Sequence, residues 1–146
     1  AWGLELMRTW LAAVSEAAKE AKSDALVMAH CPHPYLADVL DMIRLNDINT
    51  ASDIPKAMSH RARLVKAACP ELLVDTDNWP MPDKASWLSY TALQPELGIP
   101  SLYYLEAIDN SGESIEPADL EIVRAAWARH RENIGGPGGD DVSRQA

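Results

Sequence analysis

The chain has 146 residues and a mass of 16.0 kDa, enough for one domain or part of a larger one, and 22 acidic residues against 13 basic ones give a net charge of −9. With 47% hydrophobic residues it folds around a core, while the lack of clustered Lys and Arg argues against nucleic acid or an anionic membrane surface as a partner. Its apolar stretches break within about ten residues, short of the ~20 needed to cross a bilayer.

No basic, apolar and small-residue leader opens the chain, which starts at Ala1 directly in a helical pattern; it reads as a segment cut from a longer polypeptide. Cys31 and Cys69 are too few for a disulfide scaffold. One sits at the top of an expected strand and the other before the foot of another, too far apart for a bond. They leave the compartment open, with the cytoplasm preferred.

From Leu4, apolar residues Leu4, Met7, Leu11, Val14, Ala18 and Ala21 recur at three and four, which predicts an amphipathic helix of about twenty residues. Ala25 to Ala29 is a continuous apolar run, the pattern of a strand buried on both faces, and it ends in the proline-stiffened loop His30-Cys31-Pro32-His33-Pro34. A short helical piece around Tyr35 to Leu40 leads to a strand from Met42 that closes in Arg44, Asn46 and Asp47. The next helix starts near Ile54-Pro55, capped by Ser52 or Asp53, and stops before Pro70. Leu72 to Asp77 is a third strand ending in carboxylates, followed by the loop Asn78 to Pro82. A helix through Trp87 and Tyr90 leads to a fourth strand, Leu102 to Leu105, with Asp109 at its end. A last helix spans roughly Pro117 to Arg131. Residues 1–134 thus form one partial barrel domain, and 135–146, rich in Gly, form a flexible tail.

Strands alternating with helices build a parallel sheet with helices outside, an α/β class. Four strands cannot close a barrel, so a barrel architecture makes this chain the second half of a (β/α)8 TIM barrel. Each strand carries polar residues at its C-terminal end, where such folds bind ligands. Four clusters meet there: His30 to His33, Arg44 with Asn46 and Asp47, Asp75 with Asp77 and Trp79, and Glu106 with Asp109.

Neighbouring carboxylates raise one another's pKa and can serve as general acids. Strand parity puts Asp75 and Asp77 on one face, and Arg44 and Asn46 on one face, whereas Asp47 has the other parity and reaches the pocket only if its strand has ended. Asp53 competes for the acid role but stands where a helix cap is wanted. His30, Cys31, His33 and the aspartates Asp75 and Asp77 have the elements of a zinc site, yet no metal-binding spacing is present, and no metal or cofactor is expected. Trp79 offers an apolar face to a sugar from a rim loop, while Trp87, Tyr103 and Tyr104 fall at core positions. His60 and His130 lie on helices and are expected in solvent.

These residues look like a known family. Ala25 to Asp109 resembles the C-terminal half of the barrel in the α-galactosidase (melibiase-like) clan of retaining glycoside hydrolases. The similarity lies in Ala29-His30-Cys31-Pro32, in Met42-Ile43-Arg44-Leu45-Asn46-Asp47, in Asp75-Thr76-Asp77-Asn78-Trp79 and in the helix and strand from Trp87 to Asp109. The resemblance implies cleavage of an α-linked sugar with Asp47 as acid/base and Arg44 orienting it, and with His30, Cys31, His33, Asn46, Asp75, Asp77 and Trp79 binding substrate. Some members carry the acid/base in an Ala-Ser-Asp element, matched by Ala51-Ser52-Asp53. The clan's nucleophile sits on an earlier strand, which this chain lacks. Rival expectations are a metal-dependent hydrolase and a non-catalytic half-barrel that self-associates through exposed sheet edges.

Overall fold

The computed structural model describes residues 2–45 and 53–135. It is mixed α/β, with one small parallel sheet and several helices. The elements are α1 (Trp2–Ala21), β1 (Met28–Ala29), a 3-10 helix (Pro34–Val39), β2 (Met42–Arg44), α2 (Ile54–Ala68), β3 (Leu73–Asp75), α3 (Lys84–Leu97) and α4 (Pro117–Gly135).

The sheet runs in the order β1-β2-β3, all parallel, with Met28 opposite Met42 and Ile43 opposite Val74. β2 is the central strand, and Ile43 is buried. The ladder extends at both ends: the Asp41 amide donates to Val27 O (2.9 Å), and the Leu45 amide to Asp75 O (2.8 Å). α2 packs on α3, and α3 on α4. Buried Leu36, Met58, Val65, Val74, Trp87 and Tyr90 form part of one continuous core with Ile43.

α1 is held at the margin by polar ties. Lys19 Nζ pairs with Asp41 Oδ2 at 2.7 Å, and Asp41 also accepts from the Val27 amide. At the other end Arg8 pairs with Asp38 and lies over the Tyr35 ring. Leu11 is the one residue of α1 that is fully buried among those described.

Two expectations are corrected. The run Ala25 to Ala29 is not buried on both faces, because β1 lies at the edge of the sheet and leaves Leu26 and Met28 exposed. Leu102 to Leu105 is not a strand. Instead Ile99 makes a single parallel bridge to Asp75, donating its amide to Val74 O (2.7 Å), and the chain then leaves the sheet. The apolar pattern at 102–105 serves packing of another kind, since Tyr104 is buried and Tyr103 and Leu105 are exposed. Finally, Gly135 closes α4, and 136–146, expected as a tail, lie outside the described residues.

Helix starts follow local chemistry. Asp53 caps α2, accepting from the Lys56 amide at 3.0 Å with Pro55 in the first turn. Asp83 caps α3 through the Ser86 amide (2.7 Å). The segment before α4 and the first turn of α4 are clipped to the same end of α3: Glu113 accepts from the Lys84 amide, and Asp119 pairs with Lys84 Nζ at 3.1 Å.

Gly98 follows α3 where the backbone runs against β3. A Cβ there would stand 2.4 Å from Val74 O and 2.8 Å from its Cβ, so the return to the sheet needs this residue's lack of a side chain. Gly98→Ala is expected to cost about 1–3 kcal/mol in urea unfolding, with the secondary structure retained.

Acid stability tests the caps. Amide hydrogen bonds, from Ser86 to Asp83, from Lys84 to Glu113 and from Glu116 to Asp119, hold these carboxyls below their ordinary values. A folded-state pKa below the unfolded one means that their stabilisation is present above the ordinary carboxylate range and is lost as pH falls from that range through the lower folded-state values. The Tm of the chain should therefore fall between about pH 5 and pH 3, less steeply in Asp83→Asn, whose amide oxygen still caps.

Candidate functional site

β2 and β3 end side by side, with Arg44 in register with Asp75. Two residues further the extended chain brings Asp77 to the same side, as strand parity predicts. The Asp77 amide donates to Asp75 Oδ1 (2.9 Å), and the Trp79 amide to Asp77 Oδ1 (3.2 Å), so the polar end of β3 turns upon itself. Arg44 closes the group: Nη2 lies 2.8 Å from Asp77 Oδ1, and Nε lies 3.9 Å from Asp75 Oδ2. The Asp77 side chain is 3% exposed and that of Asp75 16%, so the arginine faces two largely desolvated carboxylates. The hydrogen bond to Asp77 raises the Arg44 pKa, with further support from Asp77 and Asp75 charge against the cost of burial. It is a fixed cation.

An aromatic step adjoins this cluster. Trp79 stacks on Tyr103 with ring centroids 5.4 Å apart and an interplanar angle of 30°, and the Arg44 guanidinium stands 6.0 Å from the Tyr103 ring. Trp79 Nε1 donates to Asp109 Oδ2 at 3.0 Å, which fixes the indole plane. Tyr103 is half exposed, so its placement in a core is corrected; Trp87 and Tyr104 are buried as expected. The Trp79-Pro80 peptide is cis. The loop after it is pinned at Met81, whose amide donates to the Tyr104 hydroxyl (2.8 Å) and whose carbonyl accepts from Asn110 (2.8 Å).

Below the rim, Thr76 O accepts from the Tyr90 hydroxyl and from Gln94 Nε2 (3.3 Å). Burial, then the charge of Asp77 and Asp75, pushes the Tyr90 phenol up, so it remains a donor at all ordinary pH. Asn78 is fully buried, and neither polar atom of its side chain finds a partner among the described residues.

The remaining predicted residues divide. His30 and Pro32 share a shallow cleft of about 190 Å³ with Arg44 and Arg61, smaller than the 300–1,000 Å³ typical of pockets that enclose a ligand. Cys31 instead lines an apolar groove against α1, with Met7, Trp10 and Met28. Both cysteines are free thiols, and burial raises that of Cys69. His33 caps the 3-10 helix, its Nδ1 accepting from the Tyr35 amide at 3.1 Å. Asp53 borders a separate open cleft of about 460 Å³ with Pro55, Pro82, Ser86 and Ser89, where the N-termini of α2 and α3 meet. Asn46 and Asp47 lie outside the described residues. Glu106 is exposed. His60 is exposed as expected, whereas His130 is partly buried and its pKa is lowered by that burial. Among the described residues no three His, Cys, Asp or Glu side chains converge as a metal would require.

Arg61 and the exposed Tyr103 escaped sequence reasoning. Arg61 sits at a helical position that looks solvated, and Tyr103 belongs to a run that mimics a strand. The signal that could have found Tyr103 is its spacing from Tyr104: two adjacent tyrosines cannot both face a core in extended chain.

Chemically, the rim presents a fixed cation, carboxylate oxygens and a flat aromatic face. That combination receives vicinal hydroxyls and apolar C–H groups. Comparison of the chain with protein-family models, curated proteins and solved structures returns no match. The class is defined by the fold alone: an α/β chain with a parallel sheet whose polar strand ends form one rim. No helix of the described residues is long and apolar enough to cross a membrane.

The capping role of Asp53 is testable. Asp53→Ala should lower unfolding stability by about 1 kcal/mol, whereas Asp53→Asn, which keeps the cap, should change it by a few tenths at most. Equal losses in chemical denaturation would show that capping is not its role.

Proposed function

We propose that the chain is the second half of a (β/α)8 barrel of the α-galactosidase-like type, whose rim holds an α-linked sugar. The carrying observation is Arg44 clamped by Asp77 and facing Asp75 beside the stacked Trp79 and Tyr103, at the C-terminal ends of parallel strands. The sequential order β1-β2-β3, continued by the Ile99 bridge, supports a barrel arc. A doubly wound sheet reverses its order at the ligand crevice.

In this reading the sugar ring lies against the exposed faces of Trp79 and Tyr103, and its hydroxyls reach Arg44 and the freer carboxylate, Asp75. Asp77 already accepts from Arg44 and from the Trp79 amide, so it positions the arginine and does not attack the sugar. The acid/base is Asp47, three residues beyond Arg44, or Asp53, which must then leave its cap. Retaining hydrolysis needs a second carboxyl about 5–5.5 Å from the first. The resemblance assigns that nucleophile to an earlier strand, so this chain binds sugar weakly and turns over little.

Titration with methyl α-galactoside, followed by tryptophan fluorescence and calorimetry, tests the reading. The expected Kd is about 1 mM or weaker, with at least a tenfold loss in Trp79→Ala and in Arg44→Ala. Binding that survives both changes, or no heat or fluorescence change at about 50 mM sugar, would refute it.

A further inference from the structure

α1 carries more apolar surface than the fold covers. The core takes the line of Leu4 and Leu11, yet Trp2, Leu6 and Trp10 follow one another at four-residue spacing on another face, 90%, 70% and 64% exposed. Ala13 and Ala17, also exposed, continue that line, and no charged residue interrupts it. The stripe is continuous with the sheet edge, because Met7 and Trp10 share a groove of about 460 Å³ with Met28 and Cys31. β1 at that edge pairs only with β2 among the described residues.

We propose that this face is the interface between two copies of the chain, with their α1 helices packed antiparallel. The order of side-chain sizes argues for a second copy. Large residues occupy the N-terminal half of the stripe and alanines the C-terminal half, so an antiparallel pair sets Trp2 against Ala17 of the second copy and Leu6 against its Ala13. Trp10 then meets its own equivalent near the two-fold axis. Such an isologous contact fills large against small along its whole length.

The area agrees: the exposed parts of Trp2, Leu6, Met7, Trp10, Leu26 and Met28 present roughly 800 Å² per copy, about what each partner contributes to a standard stable interface. A contiguous apolar face of this extent is uncommon on a monomer. The interface leaves the Arg44 rim untouched, so it does not depend on sugar binding, but it uses the β1 edge that a preceding barrel strand would take, so the dimer is one of this chain on its own.

Sedimentation velocity and light scattering on the purified chain read the result directly. A dimer of about twice 16.0 kDa is expected at micromolar concentration. Leu6→Glu should return it to the monomer mass with unchanged helical circular dichroism. Ala17→Trp adds apolar surface but fills the alanine half, and should raise the dimer Kd at least tenfold. A monomer at about 100 μM, or a dimer that Leu6→Glu leaves intact, overturns the interface. A dimer tightened by Ala17→Trp overturns the antiparallel register, since a nonspecific hydrophobic contact would respond that way.

Discussion

The register of β2 against β3 sets Arg44 beside Asp75, and two residues of extended chain then bring Asp77 within 2.8 Å of the guanidinium. A one-residue slip would turn Asp75 and Asp77 to the opposite face of the sheet and leave Arg44 facing neither. What prevents the slip is buried below: Ile43 and Val74 lie opposite one another in the core, and Val74 would have to leave it. The apolar ladder thus specifies the polar rim. Removing Asp77 would in turn leave the part-buried Arg44 with only the more distant Asp75 to balance it.

The rim also depends on how β3 ends. Gly98 lets the backbone after α3 close on Val74, Ile99 bridges to Asp75, and Thr76 bonds to the Ile99 carbonyl through its amide (3.1 Å) and hydroxyl (2.7 Å). Tyr90 and Gln94, reaching from α3, hold the Thr76 carbonyl. The chain from Asp75 to Met81 is therefore fixed from beneath and holds its largely desolvated carboxylates and the part-buried Trp79 at the end of the strands. α1 has no comparable anchorage. Its contacts are polar ties at the periphery, buried Leu11 and the partly buried Leu4, Ala12 and Ala18, and its second apolar face looks away from the core.

Much of this was legible in the sequence where local chemistry decides. α2 runs from Ile54 to Ala68 because Asp53, Pro55 and Pro70 bracket it, and all three signals are local. That Asp75 and Asp77 share a face followed from strand parity, whereas their pairing with Arg44 needed the register of β2 against β3. The failures lie where tertiary context overrides pattern. Val27 is buried, but its neighbours Leu26 and Met28 are not, since an apolar run reads the same at a sheet edge as at its centre. Leu102 to Leu105 has strand composition, yet the Ile99 bridge uses up the available edge and Tyr103 turns out to stack on Trp79. Helical periodicity gave α1 one apolar face, when its apolar residues form two. His33 was grouped with the rim residues and proved a cap, a role its place before Pro34 could have suggested.

The central claim is that one rim, formed where the parallel strands end, receives the sugar. Amide and side-chain NMR shifts recorded while methyl α-galactoside is added test it most directly, because they report position as well as binding. The account predicts that the largest changes fall on the Trp79 indole, the Arg44 guanidinium and the amides from Asp75 to Trp79. Changes centred instead on the Asp53 cleft or on α1, with Arg44 and Trp79 unmoved, would contradict it.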